Sequence, residues 1–170
     1  MSCMKIYVTG LLCIVFFAFV FTGCSDTNTP NTDQQEIEQA MQVFVQTLEA
    51  GDIDSSTISM KVRTYIESKD IRFFGSTVCL LNTNKQAIFS PYWYKSSLGI
   101  KYKDLTSDTS YDINKQEWLV KPIQTNSGVW SAPYFDAGGG DIWMKTYSVP
   151  VKKAGVIVAI ATTDLQVEKP

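Results

Sequence analysis

The chain has 170 residues, of which 45% are hydrophobic and 19% are charged, and its formal net charge is −2. This length and composition predict one folded domain, and the charge lacks the basic excess that binding to nucleic acid requires. The sequence contains no histidine. Catalysis by Ser/His/Asp or Cys/His groups and metal binding through histidine are therefore excluded.

The N-terminal segment is apolar and differs in kind from the rest of the chain. Lys5 precedes an apolar run over residues 6–21, which has the length of the central part of a signal peptide and is short for a membrane span. The run ends in Thr22-Gly23-Cys24, which resembles a bacterial lipobox. The resemblance implies cleavage before Cys24, acylation of its thiol and firm lipid anchoring. An uncleaved membrane anchor and an ordinary signal peptide are the alternatives.

The residues after the lipobox predict the location and the domain boundaries. Ser25 at this position resembles the pattern for sorting to the outer membrane, so we expect a lipid-anchored protein of the bacterial envelope that faces the periplasm. The segment 24–35 is polar and predicts a flexible tether. The chain then divides into a signal peptide over 1–23, the tether, and a single domain over 36–170.

The cysteines leave the domain without a predicted disulfide. Cys3 and Cys13 would be removed with the signal peptide, and Cys24 would be acylated. Cys79 is then the remaining thiol, and its apolar neighbours predict a buried side chain.

Two amphipathic helices are predicted before the first strand. Asp33 and Glu36 have the spacing of a capping box, and Gly51 is typical of a helix end. The apolar stripe of the first helix consists of Ile37, Met41, Phe44 and Leu48. A second helix is predicted over residues 55–68, with an inward face formed by Ile58, Val62, Tyr65 and Ile66.

From residue 71 onward the pattern becomes that of strands. The stretches IRFFGSTVCLLN and QAIFSPYWY predict two strands joined by a turn at residues 82–85. A short turn of helix is predicted over residues 102–105, and YDINKQEWLVKP predicts one helix that ends at Pro122.

The C-terminal third predicts a long hairpin. DIWMKTYSVPV alternates, with Ile142, Met144, Thr146 and Ser148 on one face and Trp143, Lys145, Tyr147 and Val149 on the other. KKAG is a hairpin signal, and GVIVAIATTDL predicts a continuous, central strand. The order of elements predicts an α+β fold with a long N-terminal helix against one antiparallel sheet.

Four stretches together resemble a known family. SPYWYK, YDINKQEW, WSAPYFDAGGGDIWMKTYSVPV and GVIVAIATTDL resemble the Cache domain, the PAS-like extracytoplasmic sensor module of bacterial chemoreceptors and membrane-bound phosphatases and kinases. The resemblance implies an antiparallel sheet of about five strands, a long N-terminal helix, and a layer of short helices and loops. It also implies that ligands bind between the sheet and this layer.

The resemblance also implies a set of ligand-binding residues. In amino-acid sensors of the family, a tyrosine, an arginine and a tryptophan bind the ligand carboxylate, and a later aspartate binds its amine. Here Tyr111 and Trp118 match, whereas Gln116 stands at the arginine position and Leu119 at a final tyrosine position. The full candidate set is Tyr111, Gln116, Trp118, Trp130, Tyr134, Asp136 and Asp164.

The glutamine changes the ligand that we expect. A guanidinium offers a charged fork to a carboxylate, whereas Gln116 offers weaker, neutral donors. Aromatic rings combined with carboxylates favour a cation, so an amine is expected, with a neutral polar metabolite as the alternative. Purely structural roles remain open: Trp118 and Trp130 as core residues, and Asp136 and Asp164 as turn or cap residues. Gly138 to Gly140 predict a turn.

These observations predict a lipid-anchored sensor that binds a small molecule and signals through a separate membrane-bound kinase, phosphatase or chemoreceptor. No cofactor and no metal is expected. The alternative is an adaptor or structural lipoprotein whose pocket is degenerate and which binds a protein partner. An enzyme is not expected, because no nucleophile and base can be paired.

Overall fold

The computed structural model describes residues 32–137 and 140–170. The predicted signal peptide, the predicted acylation site Cys24, most of the predicted tether and two glycines of the predicted turn lie outside the described residues. Three α-helices are present, α1 (Thr32–Ala50), α2 (Ser55–Glu67) and α3 (Glu117–Thr125), with a 3-10 turn at Ile113–Lys115. The strands are β1 (Phe73–Leu81), β2 (Ala87–Phe89), β3 (Pro91–Ser96), β4 (Gly99–Asp104), β5 (Val129–Trp130), β6 (Tyr134–Phe135), β7 (Trp143–Lys153) and β8 (Val156–Gln166).

The strands form one antiparallel sheet, which confirms the α+β class. Its order is β4-β3-β1-β8-β7-β5, with β2 paired to β1 and β6 paired to β7. The sheet has eight strands rather than about five, partly because Ser90 divides β2 from β3. The N–H of Ser90 bonds the Asp104 carboxylate, and its hydroxyl bonds Thr77. The predicted central strand is confirmed, since β8 lies between β1 and β7.

Helices α1 and α2 cover one face of the sheet. All predicted inward residues of both helices are buried, together with Val45. The predicted start of α1 was wrong by a few residues, because the helix already includes Thr32. Asp33 therefore lies inside the helix and not at its N-cap, where the capping box requires it. Instead, the carboxylates of Asp33 and Glu36 pair with the guanidinium of Arg72, at 2.9 and 2.6 Å.

The opposite face is covered by the 3-10 turn, α3 and loops. The predicted single helix over residues 111–122 was wrong at both ends: α3 begins at Glu117 and continues through Pro122 to an end at Asn126, which has a left-handed φ of 53°. The predicted helical turn at residues 102–105 was also wrong, because residues through Asp104 pair with β3. The sequence of this edge strand mixes polar and apolar residues without a clear helical or strand periodicity, so its conformation was not evident from the pattern.

The predicted hairpin between β7 and β8 and the predicted turn at residues 82–85 are confirmed. Ala154 and Gly155 have φ values of 48° and 79° at the tip between β7 and β8. The Asn82 side chain accepts two backbone N–H bonds within the turn before β2. Cys79 is buried, and its thiol is free.

The outer side of β7 offers few backbone donors. The Thr146 carbonyl accepts the N–H of Ser131, and alternation along the strand places the backbone groups of Pro150 on the same outer side. Proline has no N–H to donate. The N–H of Lys152 is also occupied, since it donates to Glu49 Oε1 at 2.8 Å. Beyond its pairing with β5 and β6, the outer side of β7 therefore lacks a free backbone donor at Pro150 and at Lys152.

Candidate functional site

A small, polar cavity lies between the sheet and the layer that contains α3. Its volume is about 10 Å³, which is about the space that one water molecule needs. Alternation along β1, β7 and β8 directs hydroxyls and a carboxylate to this face of the sheet. The lining residues are Thr77, Tyr92, Leu105, Tyr111, Trp118, Tyr134, Asp136, Thr146, Thr162 and Asp164.

Asp164 is the carboxylate that β8 contributes to the cavity. It is 4% exposed, and burial raises the pKa of its carboxyl to about 7. Thr146, its register partner on β7, donates a 2.7 Å hydrogen bond to Oδ1. The Thr146 oxygen in turn lies 2.8 Å from the Tyr134 hydroxyl. Because Thr146 uses its proton on Asp164, Tyr134 donates to Thr146, and the three side chains form one chain of donors.

Asp136 is the second buried carboxylate of the site. Burial raises its pKa, although the N–H of Gly140 donates to Oδ2 at 2.7 Å. The hydroxyl of Tyr111 donates to Oδ1 over a longer distance of 3.4 Å. Trp118 Nε1 donates to the Tyr111 oxygen at 2.9 Å, which holds that ring in place. Burial and the nearby carboxylates also raise the pKa of Tyr111, which keeps its proton available.

Tyr92 supplies a hydroxyl without a hydrogen bond. Its side chain is buried, and among the described residues its oxygen has no hydrogen-bond partner. Burial raises the pKa of this phenol and interaction with the Asp164 carboxylate raises it further, so the hydroxyl lies near that carboxylate but outside hydrogen-bond geometry. Gly75 makes room for the ring, because a methyl group at that position would overlap the Tyr92 hydroxyl. The cavity therefore contains an unused donor beside a buried carboxylate.

Gln116 lies outside the cavity in a shallow recess of about 160 Å³, together with Glu117, Trp118 and Tyr134. Its amide donates to the Asp112 carbonyl at 3.2 Å. Trp118 and Tyr134 line both the recess and the cavity, so these two side chains separate the two spaces. Gln116 thus presents a neutral amide at the position where the resemblance implies an arginine that would bind a carboxylate.

The structure brings together Tyr111, Trp118, Tyr134, Asp136 and Asp164, but it places Trp130 elsewhere. Trp130 pairs with Tyr147 and packs against that ring, with ring centroids 5.1 Å apart. Its Nε1 donates to Glu38 of α1 at 2.7 Å. Its position on the helix-covered face corrects the expectation that it lines the pocket. Trp130 takes the face of its register partner Tyr147, and Tyr147 belongs to the odd-numbered residues of β7, which face the helices.

Several residues of the cavity were missed from the sequence. Thr146 was placed on the correct face of its strand, and that alternation is the signal that would have found it. Tyr92 lies in the SPYWYK stretch, but the sequence does not identify it as a cavity residue, because its environment depends on Gly75 in a different strand. Thr77 and Thr162 face the cavity only because β1 and β8 are paired neighbours.

The arrangement is suited to binding a small cation. Two buried carboxylates and several hydroxyls offer oxygen acceptors in a space that excludes bulk water. Within residues 32–137 and 140–170, no group of three or more carboxylate or thiol side chains is arranged to hold a metal ion. The nucleophile and base that hydrolysis needs are not brought together in this cavity.

Comparison with known proteins relates the fold to sensors. The chain and the extracellular domain of the histidine kinase soHK1S-Z6 are 29% identical, with a TM-score of 0.63 over 79% of this chain and 55% of that chain. The ligand-binding domain of the Pseudomonas aeruginosa amino acid chemoreceptor PctC, solved with GABA, is 15% identical, with a TM-score of 0.54 over 79% of this chain and 57% of that one. A Campylobacter jejuni chemoreceptor domain solved with L-valine is 18% identical, with a TM-score of 0.54 and coverages of 79% and 54%.

The chain thus spans about half the length of these solved domains, and the two chemoreceptors share its fold. A search among curated proteins found no match. Among the described helices, none is both long and apolar enough to cross a membrane. A family model described as methyl-accepting chemotaxis protein-like, first PDC sensor domain, matches residues 58–169. The chain therefore belongs to this family of extracellular sensor domains, which confirms the resemblance to the Cache fold.

Proposed function

We propose that this chain is a lipid-anchored sensor that binds a small amine outside the cytoplasm and passes the signal to a separate membrane protein. The family supports a sensor that binds a small molecule. The observation that supports an amine is Asp164, a buried carboxyl whose pKa is raised to about 7. A rise of this size from 3.8 corresponds to about 4 kcal/mol by which the folded environment as a whole disfavours the ionised form. A bound cation would remove much of that cost.

The Tyr92 hydroxyl is compatible with the same ligand class, because its oxygen can also accept a hydrogen bond from an ammonium group. An ammonium group close to Asp164 would pair with the carboxylate, and it has no acceptor for a hydrogen bond. The Tyr92 hydroxyl would then donate to the Asp164 carboxylate, after a small shift of that side chain, or to a neighbouring polar atom of the ligand. The aromatic rings of Tyr111, Trp118 and Tyr134 would contact the cation through their faces. Each of these groups lines the cavity.

Ligand entry would require movement, and this movement supplies the signal. The cavity of about 10 Å³ does not hold an amine larger than ammonia in its present form. Outward movement of Trp118 and Tyr134 would join the cavity to the recess of about 160 Å³. A ligand that binds this open form better than the closed one would shift the population and change the surface that a partner contacts.

The ligand would differ from an α-amino acid in one respect. Relatives have been solved with L-valine and with GABA, which carry both an amine and a carboxylate. Gln116 lacks the charge that would pair with a carboxylate. We therefore expect amines without a carboxylate to bind at least as tightly as the corresponding amino acids.

A non-enzymatic adaptor is the second candidate, and the size of the cavity favours it. If the space of about 10 Å³ never opens, Trp118 and Tyr134 form a packed layer and the domain binds a protein partner instead. Both candidates predict no catalytic activity.

Thermal unfolding distinguishes the two candidates. Residues 32–170 would be heated at pH 8 with primary amines, amino acids and short carboxylates. A ligand at 100 times its Kd adds about 2.7 kcal/mol of stability. We expect amines to raise the Tm and Asp164→Asn to abolish the increase, while Trp130→Phe, on the opposite face, retains it. If no compound raises the Tm of the unsubstituted protein, the adaptor is favoured.

The lipid anchor has an independent test. Cys24→Ser should abolish the incorporation of labelled fatty acid and leave an uncleaved precursor, whereas Cys79→Ser should leave both unchanged because that thiol is buried. Fatty acid incorporation that persists in Cys24→Ser would contradict the anchor.

A further inference from the structure

Two aliphatic side chains project from tight turns at one end of the domain. Leu98 is 83% exposed and Ile71 is 74% exposed, the highest values among the large apolar side chains that the structure describes. Leu98 lies in the two-residue connection between β3 and β4, and Ile71 lies in a turn closed by the Phe73 N–H bond to Asp70. Turns favour glycine, proline, asparagine, aspartate and serine, so reversal of the chain does not explain these aliphatic residues.

The two turns are held side by side. β1 and β3 are antiparallel, with Gly75 opposite Tyr94, so the turn before β1 and the turn after β3 lie at the same end of the sheet. The ammonium of Lys95 joins them, because it donates to the Lys69 carbonyl at 2.8 Å and also to the Asp70 carbonyl. Ile71 and Leu98, called the apolar tips below, therefore form a fixed pair.

The chain enters the domain at this same end. Arg72, the neighbour of Ile71, pairs with Asp33 and Glu36 in the first turn of α1. Helix α1 begins at Thr32, and the sequence before it includes the apolar run 6–21 and Cys24. A membrane attachment at the N-terminal side of α1 would therefore face the apolar tips.

We infer that the apolar tips insert into the surface of the lipid bilayer and hold the domain in one orientation on it. This inference rests on the proposed anchor at Cys24. Two isolated projecting side chains suit a fluid medium, which adapts to their shape, better than the formed surface of a protein. Their affinity for lipid is weak by itself, but tethering to the same membrane makes the contact intramolecular and so raises its occupancy.

Site-specific fluorescence in the anchored, full-length protein tests the insertion. An environment-sensitive dye would be attached to Leu98→Cys or Ile71→Cys after reconstitution into phosphatidylethanolamine and phosphatidylglycerol vesicles, and quenched by nitroxides on the lipid chains. Val156→Cys is the matched control. Val156 is 55% exposed beside the β7–β8 hairpin tip, which the β1–β8 register places at the opposite end of the sheet. We expect blue-shifted emission and several-fold stronger quenching at positions 98 and 71 than at position 156.

The outcomes separate the insertion from the anchor. Equal quenching at positions 98 and 156 in protein that floats with the vesicles overturns the insertion and leaves the anchor intact. Failure to float shows that the anchor is wrong, and the insertion is then wrong as well. A blue shift at position 98 that requires membranes containing envelope proteins assigns the tips to a protein partner and also overturns the insertion.

A double substitution checks that the tips act on orientation. Both side chains are exposed, so Ile71→Ser with Leu98→Ser should leave the Tm unchanged. The distance from a dye at position 156 to the membrane surface, measured by energy transfer, should become broadly distributed in this variant. An unchanged narrow distribution would show that the apolar tips do not orient the domain.

Discussion

Thr146 of β7 and Asp164 of β8 lie opposite each other in the sheet, and the Thr146 hydroxyl donates a 2.7 Å hydrogen bond to the Asp164 carboxylate. Both side chains are buried. The bond fixes the carboxylate toward the cavity and provides part of the compensation that water would otherwise give. The ionisation of Asp164 is therefore coupled to Thr146, whose hydroxyl also accepts the hydrogen bond of Tyr134.

Thr146→Val removes this donor while nearly preserving the volume of the side chain. We expect the free energy of unfolding to fall by about 1–3 kcal/mol at pH 8, because a buried carboxylate loses a hydrogen bond. At pH 4.5 Asp164 is protonated, and the loss should be smaller. Urea unfolding at the two pH values measures the difference. In an Asp164→Asn background the dependence of the loss on pH should disappear, and a loss that depends equally on pH in both backgrounds would refute the coupling.

Stability should decrease as the pH rises from about 4 to 7. The pKa of Asp164 is raised from 3.8 to about 7 in the folded protein, so the unfolded chain ionises first and gains stability over this range. Asp164→Asn should be more stable than the unsubstituted protein at pH 8, by at most about 4 kcal/mol, and should show a flatter profile. A residual slope of the same sign is expected from Asp136, whose pKa is also raised. Denaturant unfolding across the range measures both profiles.

The acidic limb has the opposite sign and serves as an internal control. Hydrogen bonds from neighbouring residues lower the pKa values of Asp54 and Asp70 to about 2. These groups contribute stability above pH 4 that is lost as the pH falls toward 2. Asp164→Asn should leave this limb unchanged, and a change confined to it would show that the substitution acts elsewhere.

Tyr92→Phe should not destabilise the free domain, and we expect a higher Tm. The substitution removes a buried hydroxyl that makes no hydrogen bond, which relieves a desolvation cost of about 1–3 kcal/mol. Tyr134→Phe is the matched control, because its hydroxyl bonds Thr146 and its loss should lower the Tm. Calorimetry compares the two variants. A marked loss of stability in Tyr92→Phe would mean that an ordered water or another partner satisfies the hydroxyl.

Two tryptophans should separate binding from packing. Trp130→Phe loses the hydrogen bond to Glu38 on the helix-covered face, so we expect about 1 kcal/mol lower stability and an unchanged response to amines. Trp118→Phe loses its bond to Tyr111 in the cavity wall and should weaken the response. Titration of both variants with the same amine measures the contrast. If the response to the amine is lost in Trp130→Phe but retained in Trp118→Phe, the ligand binds on the helix-covered face and not in the cavity.

Much of the fold follows from periodic patterns. The stripes of α1 and α2 were predicted correctly because burial on one side of a helix imposes a regular spacing on apolar residues. The β7–β8 hairpin was predicted because Ala154 and Gly155 meet the need for positive φ. Pro122 was misjudged because a proline removes one backbone bond without ending a helix whose other contacts are retained.

The site was predicted less completely because it depends on pairing between distant strands. Asp164 and Tyr134 were identified from motif positions, and the structure joins them through Thr146. Trp130 was expected on the cavity side, but it lies on the helix-covered side. A two-residue strand is too short for its sequence to show which residue of β7 it pairs with. The volume of the cavity depends on how Tyr92 packs over Gly75, which no local pattern reveals.

The donor-poor outer side of β7 has a consequence for self-association. Pro150 and the occupied N–H of Lys152 remove two donors from the outer side of β7 beyond the short terminal strand β5, and β4 is the terminal strand at the other edge. Two molecules that pair through β4 would each present outward only the two-residue strand β5 and the donor-poor part of β7. Pairing of this kind ends at a two-fold symmetric dimer and does not propagate into a fibre.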